Sequence, residues 1–481
     1  MSLERLRSFA LLLGTNILSK AAWALALVVL LRTLGPADFG LLATLWSLAT
    51  LGASLTDLGT GQVLLREGAR QPGIARLMAQ RVLYLQAAIS LLLGLGLGLL
   101  ALTWFDTPRL SGAARLFVIG TSIATPFCDR FQNLFTVFSQ LRGHYRFYAG
   151  LRSAYFLAVL LGFALIAGLS PSLVGFSGVF LACTLIAALA MARGTWELLP
   201  RREAGELPVL RAQIRWGLPF LCISLLTLAY GRGEVIVLGF LGHTALAGAF
   251  HAVYQLVQLF YSLSGILFTV TYPRLYRHRG EIGQLDADYR DTVRWLALLA
   301  WASAPPLAFY ADPIMQLIGG QELRPHADLM RMMSLFMLLI PATAALNFLL
   351  PMDQLGKRVL CDLLGVGVSL LGLAIVLSLG HPEWVGLTSV LGYAAALLAA
   401  IRTIRRNTRI HAAQAWRELM SVALRAMPAA LLVFMLPLPW WLGIGIYLLL
   451  FLALLWITGH PAIPRLRRWL QPGTERGEVP R

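Results

Sequence analysis

Charged side chains stand in the middle of several long apolar stretches, and they are the first candidates for chemistry. Lys20 lies in the first such stretch, and Asn16, four residues earlier, shares its helical face. Residues 129–133 read DRFQN, with Asp129 and Asn133 one helical turn apart. Ionisable groups in an apolar helix usually face a cavity, a partner or a substrate route. We predict that Lys20, Asn16, Arg130 and Asn133 line a polar cavity and that Asp129 acts in coupling or gating. The alternatives are structural ion pairs, Lys20 with a carboxylate of another helix and Asp129 with Arg130.

A second polar interruption occurs at residues 230–234, which read YGRGE. Arg232 and Glu234 are two positions apart, so a regular helix points them in different directions. The flanking glycines loosen the helix, as in the discontinuous helices at transporter sites. We predict that Arg232 binds substrate and that Glu234 is a coupling or gating residue. Gln255 and Gln258 share a face further on, and either substrate contact or interhelical hydrogen bonding explains them.

Two further charges have plainer explanations. Asp57, in the second apolar stretch, is a candidate coupling or gating carboxylate, but we favour a role as partner for Arg66 or Arg70 near the surface. Arg152 lies about two turns into a later stretch, from which its long side chain can reach the cytoplasmic interface.

The elements that must position these residues are membrane helices. The 481-residue chain is 58% hydrophobic and 13% charged, whereas soluble proteins carry about 25% charged residues. Because arginines between the apolar stretches supply the net charge of +17, we assign it to membrane topology rather than to nucleic-acid binding. The pattern predicts an all-α, polytopic membrane protein of about fourteen helices. We place them at residues 8–31, 39–65, 82–105, 113–140, 145–169, 172–192, 215–241, 245–273, 293–318, 328–352, 357–380, 383–401, 419–437 and 440–459.

The distribution of basic residues sets the expected orientation. With a cytoplasmic amino terminus, 31 of the 40 Lys and Arg residues fall in inside segments and five in outside turns, so both termini are expected inside. Leu34–Gly35 and Gly40 recur about 207 residues later as Leu241–Gly242 and Gly248, six helices apart, as in parallel repeats that flank a transport path. The predicted domains are an N-terminal lobe (1–192, helices 1–6), a cytoplasmic linker (193–214), a C-terminal lobe (215–401, helices 7–12), a second linker (402–418), two extra helices (419–459) and a cytoplasmic tail (460–481).

No cofactor or metal motif accompanies these helices. Gly356 and Lys357 lack the earlier glycine and the following Ser or Thr of a Walker A loop. The eight histidines are scattered without metal-ligand spacing. We therefore predict no cofactor, no metal site and no enzymatic activity. Transport would draw on an ion gradient, the membrane potential or the substrate's own gradient.

Several short motifs carry a family resemblance. Residues 32–40 (RTLGPADFG), 57–59 (DLG), 66–67 (RE) and 238–242 (LGFLG) resemble the polysaccharide biosynthesis (O-antigen flippase, Wzx-type) family of the multidrug/oligosaccharidyl-lipid/polysaccharide exporter (MOP) superfamily. The resemblance implies a bacterial inner-membrane flippase for oligosaccharides on undecaprenyl diphosphate, working by alternating opening of two lobes. Its implied partners are the lipid-linked oligosaccharide and membrane lipids, with polysaccharide assembly proteins left open. Family members often carry a polar or acidic residue near the position of Glu234.

Two other functions stay open at this point. A drug/cation antiporter of the same superfamily would use carboxylates in its cavity, which Asp57, Asp129 and Glu234 could supply. A membrane glycosyltransferase or polysaccharide polymerase usually needs a sizeable outward loop with catalytic residues. The outward turns here are short, which disfavours that class.

Overall fold

The structure is a computed structural model, and it describes residues 3–61, 63–64, 72–104, 111–141, 145–196, 210–277, 281–352, 354–407 and 414–460. Every regular element in these ranges is helical. The first helix, Leu3–Asp57, is divided at the non-helical Gly35 into α1 (residues 3–34) and α2 (residues 36–57). The others are α3 (Pro72–Trp104), α4 (Gly112–Leu141), α5 (Tyr145–Leu169), α6 (Leu173–Trp196), α7 (Leu210–Phe240), α8 (Thr244–Arg277), α9 (Ile282–Phe309), α10 (Ala311–Gly319), α11 (Ala327–Leu339), α12 (Thr343–Phe348), α13 (Leu355–Ser378), α14 (Val385–Asn407), α15 (Gln414–Phe434) and α16 (Trp440–Ile457).

The helices have the composition of membrane spans. Within the described residues, nine segments are long and apolar enough to cross a bilayer, and α1 and α2 count together as one of them. Helices suit the membrane because they satisfy their backbone hydrogen bonds internally. Large apolar side chains also point outward, as on α3, where Leu92 is 72% exposed, an arrangement suited to lipid rather than water. The all-α, polytopic membrane fold is therefore confirmed.

The two repeated Leu-Gly motifs form equivalent turns. Gly35, between α1 and α2, has φ +76°, and Gly242, between α7 and α8, has φ +82°. Positive φ is accessible to glycine at little cost, and Pro36 has no N–H to continue the first helix. The sequence match thus corresponds to two helical hairpins that turn in the same way.

The helices pack in two groups. In the first, α1 and α2 pack against α3, α4 and α5, and α6 packs against α4 and α5. In the second, α7, α8, α9, α11, α13 and α14 pack together, and α15 and α16 lie against α9. The main contact between the groups runs from α1 and α2 to α7 and α8. The lobe boundaries stay a prediction, and residues 197–209, 408–413 and 461–481 of the linkers and tail lie outside the described residues.

One helix ends earlier than its apolar stretch. The predicted second helix runs to residue 65, but the structure ends α2 at Asp57 and turns at Leu58 and Gly59, with φ +48° and +67°. Hydropathy does not register such a turn, because the residues after it are also apolar.

Candidate functional site

A break in α7 separates its two charged residues. Tyr230 (ψ 128°) and Gly231 (φ +76°) leave the helical conformation in the middle of the helix. A Cβ at Gly231 would overlap the Tyr254 ring, so both the backbone angle and the space require glycine here. Arg232 follows the break and is half-buried, whereas Glu234 is 1% exposed. The break therefore places Arg232 and Glu234 in different surroundings, as their spacing predicts.

Lys20 lies in a cleft between the two helix groups. The α1–α8 cleft is lined by Lys20 and Trp23 from α1 and by Gln255 and Gln258 from α8, with apolar side chains along the rest of its walls. Its volume of about 70 Å³ holds only a few water molecules. The cleft must therefore widen before a molecule the size of a sugar can enter.

Four cations and one carboxylate interact electrostatically, and one of them, Lys20, lines this cleft. Lys20 is close enough to Arg152 and Arg232 for electrostatic interaction, and Asp129 interacts in the same way with Arg130, Arg152 and Arg232. The first helix group supplies Lys20, Arg130, Arg152 and Asp129, and the second supplies Arg232. The cluster has a net formal charge of +3, which favours an anionic ligand.

The cations differ in how far the protein already satisfies them. Arg130 donates to Ser54 Oγ at 2.5 Å. Arg152 donates to the Tyr148 hydroxyl and lies 5.7 Å from the Tyr148 ring centroid. In the described part of the chain, neither Lys20 nor Arg232 has a hydrogen-bond or ion-pair partner, and no direct ion pair joins Asp129 to an arginine. The predicted alternatives, a paired Lys20 and an Asp129–Arg130 ion pair, do not describe this arrangement.

The polar amides have mixed positions. Gln255 lines the cleft and its Nε2 lies 3.1 Å from His251 Nε2. Asn133 is half-buried and makes no hydrogen bond to other described residues. The Asn16 side chain lies outside the described part of the structure. The structure thus gives Gln255 a place at the cleft, while substrate contacts for Asn16 and Asn133 stay predictions.

The two other predicted coupling residues lie away from the cation cluster. Glu234 accepts hydrogen bonds from Ser369 Oγ (2.6 Å) and Ser389 Oγ (2.8 Å), which connect α7 to α13 and α14. No cationic side chain pairs with Glu234 among the described residues. Asp57 Oδ1 accepts from Gln86 Nε2 at 3.0 Å and from the Gly61 N–H at 3.3 Å.

These contacts give Asp57 a bracing position at the turn that ends α2. Its favoured partners, Arg66 and Arg70, lie outside the described residues. The role of either carboxylate in coupling stays a prediction.

Glycine contacts close the interface between the helix groups at two places. A Cβ at Gly40 would overlap the Thr244 carbonyl oxygen, and a Cβ at Gly248 would overlap that of Pro36. We call this reciprocal α2–α8 contact the first seam. At the other end of α2, Gly59 meets the Gly217 carbonyl oxygen of α7 in the same way, and we call this the second seam. Small residues allow such close backbone approach in membrane proteins.

The sequence matches the family described as polysaccharide biosynthesis protein over residues 6–278, which is more than half of the chain. The chain belongs to this family. The matched region includes α1, α7 and α8, and hence both walls of the cleft. A comparison with functionally curated proteins finds no match.

Solved structures of MOP superfamily proteins share the fold of this family member. The lipid II flippase MurJ in an inward closed conformation aligns with a TM-score of 0.69 at 11% identity, covering 94% of this chain and all of MurJ. An inward-facing multidrug resistance MATE transporter gives 0.65 at 17% identity, covering 80% and 94%. A MOP transporter from Pyrococcus furiosus with reversed binding-pocket polarity gives 0.52 at 16% identity, covering 83% and 95%. These identities support a common fold only.

Arg152 is the cluster member that sequence reasoning missed. We expected its side chain at the cytoplasmic interface, but it lies between the Tyr148 and Phe156 rings, 5.7 and 5.9 Å from their centroids. A signal was present in the sequence. Tyr148, Arg152 and Phe156 are spaced four residues apart on one helical face, which favours cation–π packing along the helix over extension toward water.

Proposed function

We propose that this family member flips an undecaprenyl-diphosphate-linked oligosaccharide from the cytoplasmic to the outer leaflet of the bacterial inner membrane. The cargo would serve the assembly of surface polysaccharide such as O-antigen or exopolysaccharide. Both termini are cytoplasmic in this proposal, and the chain is a transporter rather than an enzyme. Its partners are the lipid-linked oligosaccharide, membrane lipids and the proteins that assemble the polysaccharide.

The observation that carries the proposal is the unpaired cationic pair Lys20 and Arg232. Both side chains are half-buried, and charges at membrane depth are costly unless they are paired, so two neighbouring cations without an ion pair favour an anion as their ligand. A diphosphate supplies several acceptor oxygens for charge-assisted hydrogen bonds. Arg152 and Arg130 would add to the positive potential, and Asp129 would limit it, so that the diphosphate can leave again.

Alternating access would use the two seams. The reciprocal Gly40–Gly248 contact closes one end of the interface, and the Gly59–Gly217 contact closes the other. Opening one seam at a time would expose the cation cluster first to one side of the membrane and then to the other. The sugar and diphosphate would pass between the two lobes while the polyprenyl tail stays in the bilayer.

Glu234 is our candidate for coupling to an ion gradient. It is a buried carboxylate held by two serine hydroxyls and no described cation, so a proton or a metal cation would neutralise it. Because Ser369 and Ser389 belong to α13 and α14, the charge state of Glu234 would affect the packing of three helices. Asp57 would act at the second seam by bracing the turn next to Gly59.

The test of this function is the lipid pool of cells that lack the protein. We expect mass spectrometry of lipid extracts to show an accumulated oligosaccharide on a polyprenyl diphosphate. Lectin or radiolabel accessibility should place it in the cytoplasmic leaflet, and the wild-type chain should restore normal levels. Absence of any such lipid would contradict the flippase function.

The second candidate is a drug/cation antiporter, which the shared fold with MATE transporters and the exposed Asp129 carboxylate favour. It predicts cells that become drug-sensitive without accumulating a lipid-linked glycan. Asp129→Asn would then abolish transport, whereas Lys20→Gln would leave it unchanged. The flippase function predicts the opposite, that Lys20→Gln impairs transport more than Asp129→Asn does.

A further inference from the structure

The α1–α8 cleft contains neutral polar and aromatic groups as well as cations. Trp23 lines it from α1, three residues after Lys20, and Gln255 and Gln258 line it from α8. An indole face suits the apolar C–H face of a sugar ring, and primary amides both donate to and accept from sugar hydroxyls. We propose that Trp23, Gln255 and Gln258 form a subsite for a hexopyranose of the cargo, next to the cations that bind its diphosphate. This inference rests on the proposed function and specifies which part of the substrate each wall recognises.

Trp23 is held in place by three aromatic side chains that pack against it. Its ring stacks on Phe180 with centroids 5.5 Å apart and an interplanar angle of 27°. It also meets Phe156 edge-on at 6.0 Å and Trp46 at 6.4 Å. The remaining surface of the indole is therefore presented to the cleft in a fixed orientation, which lowers the entropy cost of binding a ring against it.

The two amides are oriented by buried neighbours on the same helix. Gln258 Nε2 donates to the Tyr254 hydroxyl at 2.7 Å, and Gln255 lies 3.1 Å from His251. Tyr254 is 7% exposed and His251 is 1% exposed, and neither lines the cleft. Each glutamine keeps its carbonyl oxygen and a second N–H for a ligand.

Each wall of the cleft has its own supports. The aromatic side chains that pack against Trp23 belong to α2, α5 and α6, all in the first helix group, whereas His251 and Tyr254 belong to α8 in the second. When the groups separate, the cleft widens beyond its present 70 Å³ while both walls keep their oriented side chains. The subsite can thus receive a sugar ring without being rebuilt.

A lipid tail is the competing occupant, since most other lining residues are apolar. A tail laid over Gln255 and Gln258 would cover the free carbonyl oxygens of both amides without giving them hydrogen-bond partners, which is unfavourable. It would also lie against the Lys20 ammonium. The distribution of polar groups in the cleft therefore favours the sugar.

The experiment measures binding of two lipids to the full-length protein in nanodiscs. Undecaprenyl diphosphate contains only the anionic group, and undecaprenyl diphosphogalactose adds one hexopyranose. We expect the sugar to strengthen binding to the wild type, and Trp23→Leu or Gln258→Leu to weaken binding of the glycosylated lipid about tenfold while changing binding of the bare lipid less than about twofold. Trp441→Leu is the matched control, because Trp441 is 62% exposed on α16.

Two further variants keep the test informative if Trp23→Leu fails to fold. Trp23→Phe preserves an aromatic face and should keep most of the sugar effect, and Tyr254→Phe removes only the support of Gln258 and should reduce it. Equal weakening of both lipids, or no weakening of either, would overturn the subsite. A wild type that binds both lipids equally would overturn it as well but leave the proposed function standing. A wild type that binds neither lipid would count against the proposed function itself.

Discussion

Neutralising Lys20 and Arg232 together is the perturbation that addresses the cation cluster most directly. Neither side chain makes a hydrogen bond or an ion pair among the described residues, so Lys20→Gln and Arg232→Gln leave no hydrogen-bonding group unpaired. Arg232→Gln also removes an electrostatic attraction to Asp129. Each variant removes one contact with the ligand, worth about 1.5–3 kcal/mol for a charge-assisted hydrogen bond, or roughly 10–150-fold in affinity.

The initial transport rate of the double variant should fall by a smaller factor than the product of the two factors measured for the single variants. Lys20 and Arg232 repel one another in the empty protein, so removing one relieves the other, and neighbouring sites are not additive. We expect roughly a 100-fold to 1000-fold loss in the initial rate at low substrate concentration. The cluster charge falls from +3 to +1.

Asp129→Asn provides the internal check, since it returns the cluster to +2 without restoring either contact. When Asp129→Asn is added to the double variant, the initial transport rate should recover about tenfold. This is the effect expected from removing one unit charge at roughly 10 Å from the ligand, with an effective dielectric constant near 20. Lys357→Gln is the matched control, because Lys357 is the only other lysine and is exposed.

The assay uses proteoliposomes loaded with a fluorescent lipid-linked oligosaccharide and a membrane-impermeant quencher. Parallel thermal unfolding in detergent separates loss of binding from loss of folding. Wild-type transport rates in the Lys20→Gln/Arg232→Gln double variant would refute the cationic cavity. A loss that Asp129→Asn deepens rather than relieves would refute the electrostatic explanation.

Three other variants test the seams, a buried ion pair and coupling. The side chain of Gly248→Leu would overlap the Pro36 carbonyl oxygen, so this variant should destabilise the closed first seam by about 1–3 kcal/mol. Cysteines placed along the seam should then react more with maleimide. Unchanged labelling would contradict this. Arg358→Met breaks the buried 2.7 Å pair with Asp362 and should cost about 3–5 kcal/mol. The double replacement Arg358→Met/Asp362→Leu should cost much less in thermal unfolding, and similar losses would argue against an uncompensated charge as the cause. Glu234→Gln keeps an acceptor for both serines, so stability should change by less than about 1 kcal/mol while transport loses its dependence on the ion gradient; retained dependence would exclude Glu234 as the coupling group.

Local physical rules were enough to predict most of the helices and two of their interruptions. They did not predict the breaks that separate α9 from α10 and α11 from α12, which divide the predicted helices 293–318 and 328–352. Long apolar stretches become membrane helices because the bilayer leaves the backbone no other partners. The Gly35–Pro36 and Gly231 positions break or turn the helices through properties of single residues, and the structure has both. The turn at Leu58 and Gly59 was not foreseen, because it lies inside an apolar stretch and depends on the Gly217 backbone and on Asp57.

The candidate site could be predicted only in part. The high cost of a charge at membrane depth identified Lys20, Arg130 and Arg232 from sequence, but their mutual arrangement depends on helices far apart in the chain. The same is true of Arg152, whose neighbours Lys20 and Asp129 lie on α1 and α4. Tyr254 and His251 read as ordinary helix residues until the structure places Gln258 and Gln255 against them.

The sequence by itself determined that this chain is a multi-helix membrane protein of the polysaccharide biosynthesis family, with charges too costly to face lipid. Those properties follow from hydropathy, glycine and proline chemistry and short motifs, all of which act locally. Only the tertiary structure decided that Lys20 and Arg232 come within electrostatic range of each other without an ion pair among the described residues, that Glu234 turns away toward two serines, and that glycines close the interface at two seams. These features depend on the packing of α1 and α2 against α7 and α8, across about 200 residues of chain, and no local pattern encodes that distance.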